Sequence, residues 1–133
     1  MTKLYYSTHF LSVIKKGTYK NYNWIITSCG WHPCAYVEIP KGDRLYELDY
    51  TDTDMDSIDC HGGVTFTDYR DFGFGKKYYL GWDYAHLGDY SAMPFGDRPL
   101  YMPNEPNAKK WTIKEIKTEI QSVIKQIKEI NSL

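Results

Sequence analysis

The sequence predicts an α+β domain in which an antiparallel sheet of about four or five strands carries a long C-terminal helix on one face. Three observations predict it. Residues 112 to 130 repeat isoleucine and valine at helical spacing behind a capping signal. Several short β-branched and aromatic runs come before it, separated by glycine and proline turns. With 133 residues the chain has the size of one domain, residues 1 to 133, with no internal repeat.

The helix is the clearest element. Thr112 suits an N-cap, and Glu115 three residues on completes a capping box. Ile113, Ile116, Ile120, Val123, Ile124, Ile127 and Ile130 then fall on one face, with Lys, Glu and Gln between them. That stripe is expected to lie on the sheet, because a small sheet needs a cover. A dimer seam, and so a homo-oligomer, is the alternative.

Among the strands, residues 22 to 28 are β-branched and aromatic, and residues 35 to 39 alternate before the turn Pro40-Lys41-Gly42-Asp43. Residues 64 to 67 and 77 to 83 read as two more, joined by a glycine-bearing mobile loop from 68 to 76. A fifth strand is expected near 3 to 8. Residues 10 to 14 suit a short helix or a strand, closed by Gly17. The Pro-, Gly- and Asn-rich stretch from 90 to 110 reads as irregular chain of the kind that forms lids or binding loops.

Composition narrows the function. The formal net charge of −1 carries no signature of nucleic-acid or anionic-membrane binding, and neither partner is expected. No apolar run is long enough to span a membrane, and no signal peptide is visible, so a cytoplasmic protein is expected. Three cysteines, Cys29, Cys34 and Cys60, read as reduced thiols, mostly buried; His9, His32 and Cys34 read as structural. Asp52, Asp54 and Asp56 resemble the start of a calcium loop, but Ser57 and Gly63 stand where that loop needs Gly and Glu. An EF-hand is rejected and a solvated acidic loop expected.

The chemistry concentrates between residues 59 and 89. Asp59-Cys60-His61-Gly62-Gly63 pairs a histidine with two glycines, whose amides can turn sharply or meet an anion. Along the same strand, Asp59, His61, Gly63 and Thr65 are expected to share a face, with Cys60 pointing away from His61. Asp83-x-x-His86-x-x-Asp89 follows another strand, where sites gather. The two turns are expected to meet in one cleft. His61 and His86 could then act as acid and base, and Asp83, His86 and Asp89 could hold a divalent metal; no other cofactor is implied. Tyr78, Tyr79, Trp82, Tyr84, Phe72 and Phe74, with Arg70 or Arg98 nearby, would rim it and suit a nucleotide.

These residues resemble a family of small, largely uncharacterised bacteriophage and prophage proteins. Its pattern is VHGG(L/I)TY, then W(W/I)GFD-x-AH-x-GD, then a C-terminal amphipathic helix. The resemblance covers residues 34 to 130, with His61, Gly62, Gly63, Thr65, Gly81, Asp83, Ala85, His86, Gly88 and Asp89 in register. Trp82 replaces a usual Phe and Cys60 a frequent Val. It implies a phage accessory protein working in the host bacterial cytoplasm. By analogy, such a protein would counter host defence by sequestering a nucleotide immune signal of the cyclic ADP-ribose or cyclic dinucleotide class. His61, Gly62, Gly63, Thr65, Trp82, Asp83, His86 and Asp89 would bind the ligand. The alternatives are a phosphodiesterase using His61 and His86, with or without a metal, and a protein inhibitor of a host enzyme that uses the acidic loop 49 to 56.

Overall fold

The computed structural model describes residues 12–91 and 107–133. Five antiparallel strands form one sheet: β1 (Ser12–Tyr19), β2 (Tyr22–Ser28), β3 (Pro33–Glu38), β4 (Phe66–Asp71) and β5 (Lys76–Asp83), in the order β1-β2-β3-β5-β4. A short helix, α1 (Thr53–Asp56), lies in the long β3–β4 connection, and α2 (Ile113–Asn131) ends the chain. The predicted α+β architecture is the one observed.

Alternation along the strands divides the side chains between two faces. Trp24, Ile26, Ala35, Val37, Leu80 and Trp82 point towards α2 and pack with Ile116, Ile120, Val123, Ile124, Ile127 and Ile130, all nearly inaccessible. The isoleucine stripe therefore builds the core. Burying a side chain of this size stabilises by about 1.5–3 kcal/mol. The opposite face carries a smaller cluster of Ile25, Cys34, Tyr36 and Tyr79, against which Phe66 and Phe72 pack.

The capping box forms as the spacing demands. Thr112 Oγ1 accepts from the Glu115 amide at 3.1 Å, and Glu115 Oε1 accepts from the Thr112 amide at 3.0 Å.

Several boundaries differ from the sequence reading. β1 runs through Gly17 to Tyr19, because Gly17 lies under the Trp24 indole, where a Cβ would come within 2.5 Å of the ring. The loop expected from 68 to 76 shrinks to residues 72–75, since Asp68 to Asp71 pair in register with Tyr79 to Lys76. Asp71 Oδ1 closes that hairpin by accepting from the Gly73 and Gly75 amides at 2.7 and 3.1 Å. The acidic loop is partly α1: Asp52 caps it, Met55 anchors it in the core, and Asp54 pairs with Arg44 at 3.2 Å. The strand expected near 3 to 8 and most of the 90 to 110 stretch fall outside the described residues, as do His9 and Arg98.

Candidate functional site

Beyond the C-terminal end of β5 the chain turns through residues 84 to 90, and a second turn, Cys60 to Gly63, lies beside it. Residues 60 to 65 are not a strand, so Asp59, His61, Gly63 and Thr65 do not share a face. The backbone turns instead at Gly62 and Gly63, with φ of 73° and 79°. Glycine is needed at 62 for a second reason. A Cβ there would lie 2.0 Å from His86 Nε2, so the His86 ring rests directly on the Gly62 backbone.

This contact brings the two motifs together. The His61 and His86 rings meet edge to face, with centroids 5.4 Å apart. His61 also stacks on Tyr84, with centroids 4.9 Å apart and planes 8° from parallel, and Trp111 leans against it at 4.8 Å.

Asp89 ties the cluster. Its Oδ2 accepts from His61 Nε2 at 2.7 Å and from the His86 amide at 2.9 Å; its Oδ1 accepts from Trp111 Nε1 at 2.8 Å. The side chain is 4% exposed, so this carboxylate is spent inside the protein. A carboxylate only accepts, which places the His61 proton on Nε2 and leaves Nδ1 with the lone pair in the neutral ring. The 88–90 segment is pinned by a parallel bridge between Asp89 and Lys109, made by Lys109 N to Gly88 O at 2.8 Å and Tyr90 N to Lys109 O at 2.9 Å. That bridge delivers Lys109, Lys110 and Trp111 to the site.

A second carboxylate supports it from below. Glu119 of α2 accepts from the His61 amide at 3.0 Å, from Trp82 Nε1 at 3.1 Å and from the Tyr84 hydroxyl. Burial, followed by the hydrogen bond to Glu119, raises the Tyr84 phenol far above its ordinary range. Neither Glu119 nor Trp111 was picked out from the sequence. Glu119 follows Ile116 by three positions, on the flank of the buried stripe, and that position was its only signal.

Asp83 and His86 form the open rim, with side chains 30% and 34% exposed. His86 Nε2 lies 3.3 Å from Asp83 Oδ1 but is not aligned for a hydrogen bond, and the atom itself is buried against Gly62. Asp83 Oδ1 accepts from the Ala85 amide at 3.1 Å, and Thr65 Oγ1 reaches Asp83 Oδ2 at 3.4 Å.

Other expected members lie elsewhere. Trp82 is 1% exposed and offers no ring face to a ligand. Tyr79, Phe72 and Arg70 belong to the opposite face, where the guanidinium sits 4.7 Å from the Phe66 centroid. Phe74 stands under Lys16, and Tyr78 packs with Tyr46 and Tyr69. The Gly63 amide donates to Cys60 O at 2.9 Å and the His61 amide to Glu119 at 3.0 Å, so both of these amides are already engaged within the protein. Cys60 sits among carboxylates: burial first, then Glu119, Asp59 and Asp83, push its thiol up to about 12, which rules against a reactive thiolate beside His61. Among the described residues no group of three or more His, Cys, Asp or Glu is placed to hold a metal ion, so Asp83, His86 and Asp89 do not form such a centre.

Comparison with protein-family models, with curated proteins and with solved structures found no match. No helix among the described residues is long and apolar enough to cross a membrane.

Proposed function

We propose that this chain is a phage-encoded anti-defence protein that binds and sequesters a nucleotide-type signal of the cyclic ADP-ribose or cyclic dinucleotide class in the host cytoplasm. The observation that carries the reading is the convergence of His61 with Asp83, His86 and Asp89 of a separate turn, the two imidazole rings lying 5.4 Å apart. In this reading Asp83 and Thr65 accept from ribose hydroxyls or base N–H groups at the rim, and His86 contacts the ligand with its exposed edge. Lys110 supplies positive charge for phosphate, since the Lys109 ammonium is already paired with Glu115 at 2.7 Å. Trp111, which carries Lys109 over its ring at 4.1 Å and packs on His61 and Tyr84, walls the pocket.

Binding is favoured over cleavage because His86 Nε2 is covered by Gly62 and His61 Nε2 is committed to Asp89. A two-histidine acid–base pair would therefore have to work through the two Nδ1 atoms alone. The second reading, a phosphodiesterase, draws on the Asp89–His61 pair alone, which orients an imidazole with Nδ1 free to take a proton. Inhibition through the acidic loop has less support, since Asp52 and Asp54 are engaged in a cap and an ion pair.

The test is incubation of the purified chain with cyclic ADP-ribose and cyclic dinucleotides, removal of free ligand, heat denaturation and chromatography of the supernatant. Intact nucleotide released by heat supports sequestration; fragments support the hydrolase; no retained or altered nucleotide overturns both.

A further inference from the structure

The sheet face turned away from α2 carries a second cleft, which shares no residue with the His61 site and is independent of the function proposed above. Register and alternation lay it out. Lys16 of β1 pairs with Ile25 of β2, and Thr18 with Asn23, while Glu38 of β3 pairs with Tyr79 of β5. Ile25 and Tyr79 belong to the cluster on this face, so their partners project with them. Together these side chains line a cleft of about 320 Å³. That lies at the lower end of the range of small-molecule sites, about 300–1,000 Å³.

A contact between opposite margins of the sheet closes one border. The ammonium of Lys16, on edge strand β1, lies 4.0 Å from the centroid of the Phe74 ring in the β4–β5 turn. Phe74 is 43% exposed and leaves an apolar wall for a ligand to cover. Phe74 and Tyr79, expected at the rim of the His61 site, belong here instead.

Three polar groups of this cleft are unengaged. Lys16 and Glu38 carry opposite charges, yet neither forms an ion pair among the described residues. Glu38 also borders a neighbouring cleft with Lys41, Lys76 and Lys77 and pairs with none of them. Its Oε1 accepts only a long bond, 3.4 Å, from Asn23 Nδ2, while Thr18 Oγ1 donates to Asn23 Oδ1 at 2.8 Å. Tyr79 is the third. Its side chain is 2% exposed, but its hydroxyl has no hydrogen-bond partner among the described residues. A phenol so buried ordinarily has one. Burial first, then the charges of Glu38 and Asp71, push this phenol up to about 12, so it stays a donor.

An unpaired ammonium and an unpaired carboxylate on one small cleft complement a ligand that carries both charges. Glu38 would repel a plain anion and Lys16 a plain cation, and an uncharged ligand would desolvate both without a partner. We propose that this cleft binds a small zwitterion of the free α-amino-acid class. The ligand's carboxylate accepts from Lys16 and the Tyr79 hydroxyl, and its ammonium donates to Glu38. Ile25 and Phe74 face its side chain.

The experiment is isothermal titration calorimetry of the full chain with each free L-amino acid, then with the N-acetyl and methyl-ester derivatives of the best binder. Saturable one-to-one binding below about 1 mM supports the proposal. Each derivative removes one charge and should bind at least about tenfold more weakly. Lys16→Met and Glu38→Gln should each lose at least about tenfold in affinity with an unchanged urea midpoint, and Tyr79→Phe should weaken binding severalfold. No saturable binding by any amino acid overturns the proposal. So does a methyl ester or an N-acetyl derivative that binds as tightly as the free amino acid, or affinity that survives both Lys16→Met and Glu38→Gln.

Discussion

Asp89 sets the geometry of the candidate site, because three donors from three segments converge on its two oxygens. Removing it strands His61 Nε2 and Trp111 Nε1 in a half-buried cluster. Each unpaired buried donor costs about 1–3 kcal/mol. Asp89→Ala should therefore lose about 3 kcal/mol of unfolding free energy in urea titration and abolish ligand retention. Asp83→Ala, at the rim, should abolish retention and cost only about 1 kcal/mol, for the lost bond from the Ala85 amide. Equal destabilisation by both would remove the distinction between the anchoring and the ligand-facing carboxylate.

Cys29 and His32, at the two ends of the β2–β3 turn where the Cys29 amide donates to His32 O at 3.3 Å, give a pH signature with its own sign. Burial opposes the charge of each; His32 outweighs it for Cys29, and Cys29 with Cys34 outweigh it for His32. His32 is raised above its ordinary 6.5, so its contribution is full below that value and lost as pH rises through about 11. Cys29 is lowered below its ordinary 9, so its contribution is full above that value and lost as pH falls through about 7. Between pH 7 and 9 the folded and unfolded pairs each hold one proton, and the two trends cancel. The stability difference between wild type and His32→Gln should accordingly stay flat from pH 7 to 9 and shrink from 9 to 11, measured by urea unfolding.

At the scale of elements, α2 combines two independent devices, its cap and its stripe. Thr112→Ala removes one of the two bonds of the capping box and should cost about 1 kcal/mol. Ile124→Ala opens a cavity under the sheet and should cost about 2–5 kcal/mol. Both are read from thermal or urea unfolding. The same helix was legible in the sequence because each of its signals is local: a cap, a box and a 3.6-residue period.

β2 was legible for the same reason, while β1 and β4 were legible only at their first residues. Gly17 reads as a stop until Trp24 is seen above it. Asp68 to Asp71 read as loop until their register with β5 is known. At the site, the meeting of the His61 and His86 turns was legible from their matching composition. Its cause was not, because it depends on an imidazole seated on Gly62 and on Glu119 rising from a helix 58 residues downstream of His61. The rings expected at the rim went to the core or the far face, since strand alternation alone does not say which face the helix covers.

For the whole molecule, the helix closes one face of the sheet and carries Glu119 to the site, so core and site share an element. Ligand binding should then register as global stability. At a ligand concentration a hundred times its dissociation constant, unfolding should cost about 2.7 kcal/mol more. Gly62→Ala couples the scales in the opposite sense. It places a side chain at φ 73° and displaces the His86 ring, with a backbone strain of about 1–3 kcal/mol and loss of the ligand-bound increment in melting temperature.

The most direct measurement of the site is histidine-selective NMR of the imidazole resonances during titration with cyclic ADP-ribose and cyclic dinucleotides. The account predicts that His61 and His86 shift together and saturably with one of these ligands while His32 stays in place. Resonances of His61 and His86 that remain still across the whole series, or that move independently of one another, would contradict it.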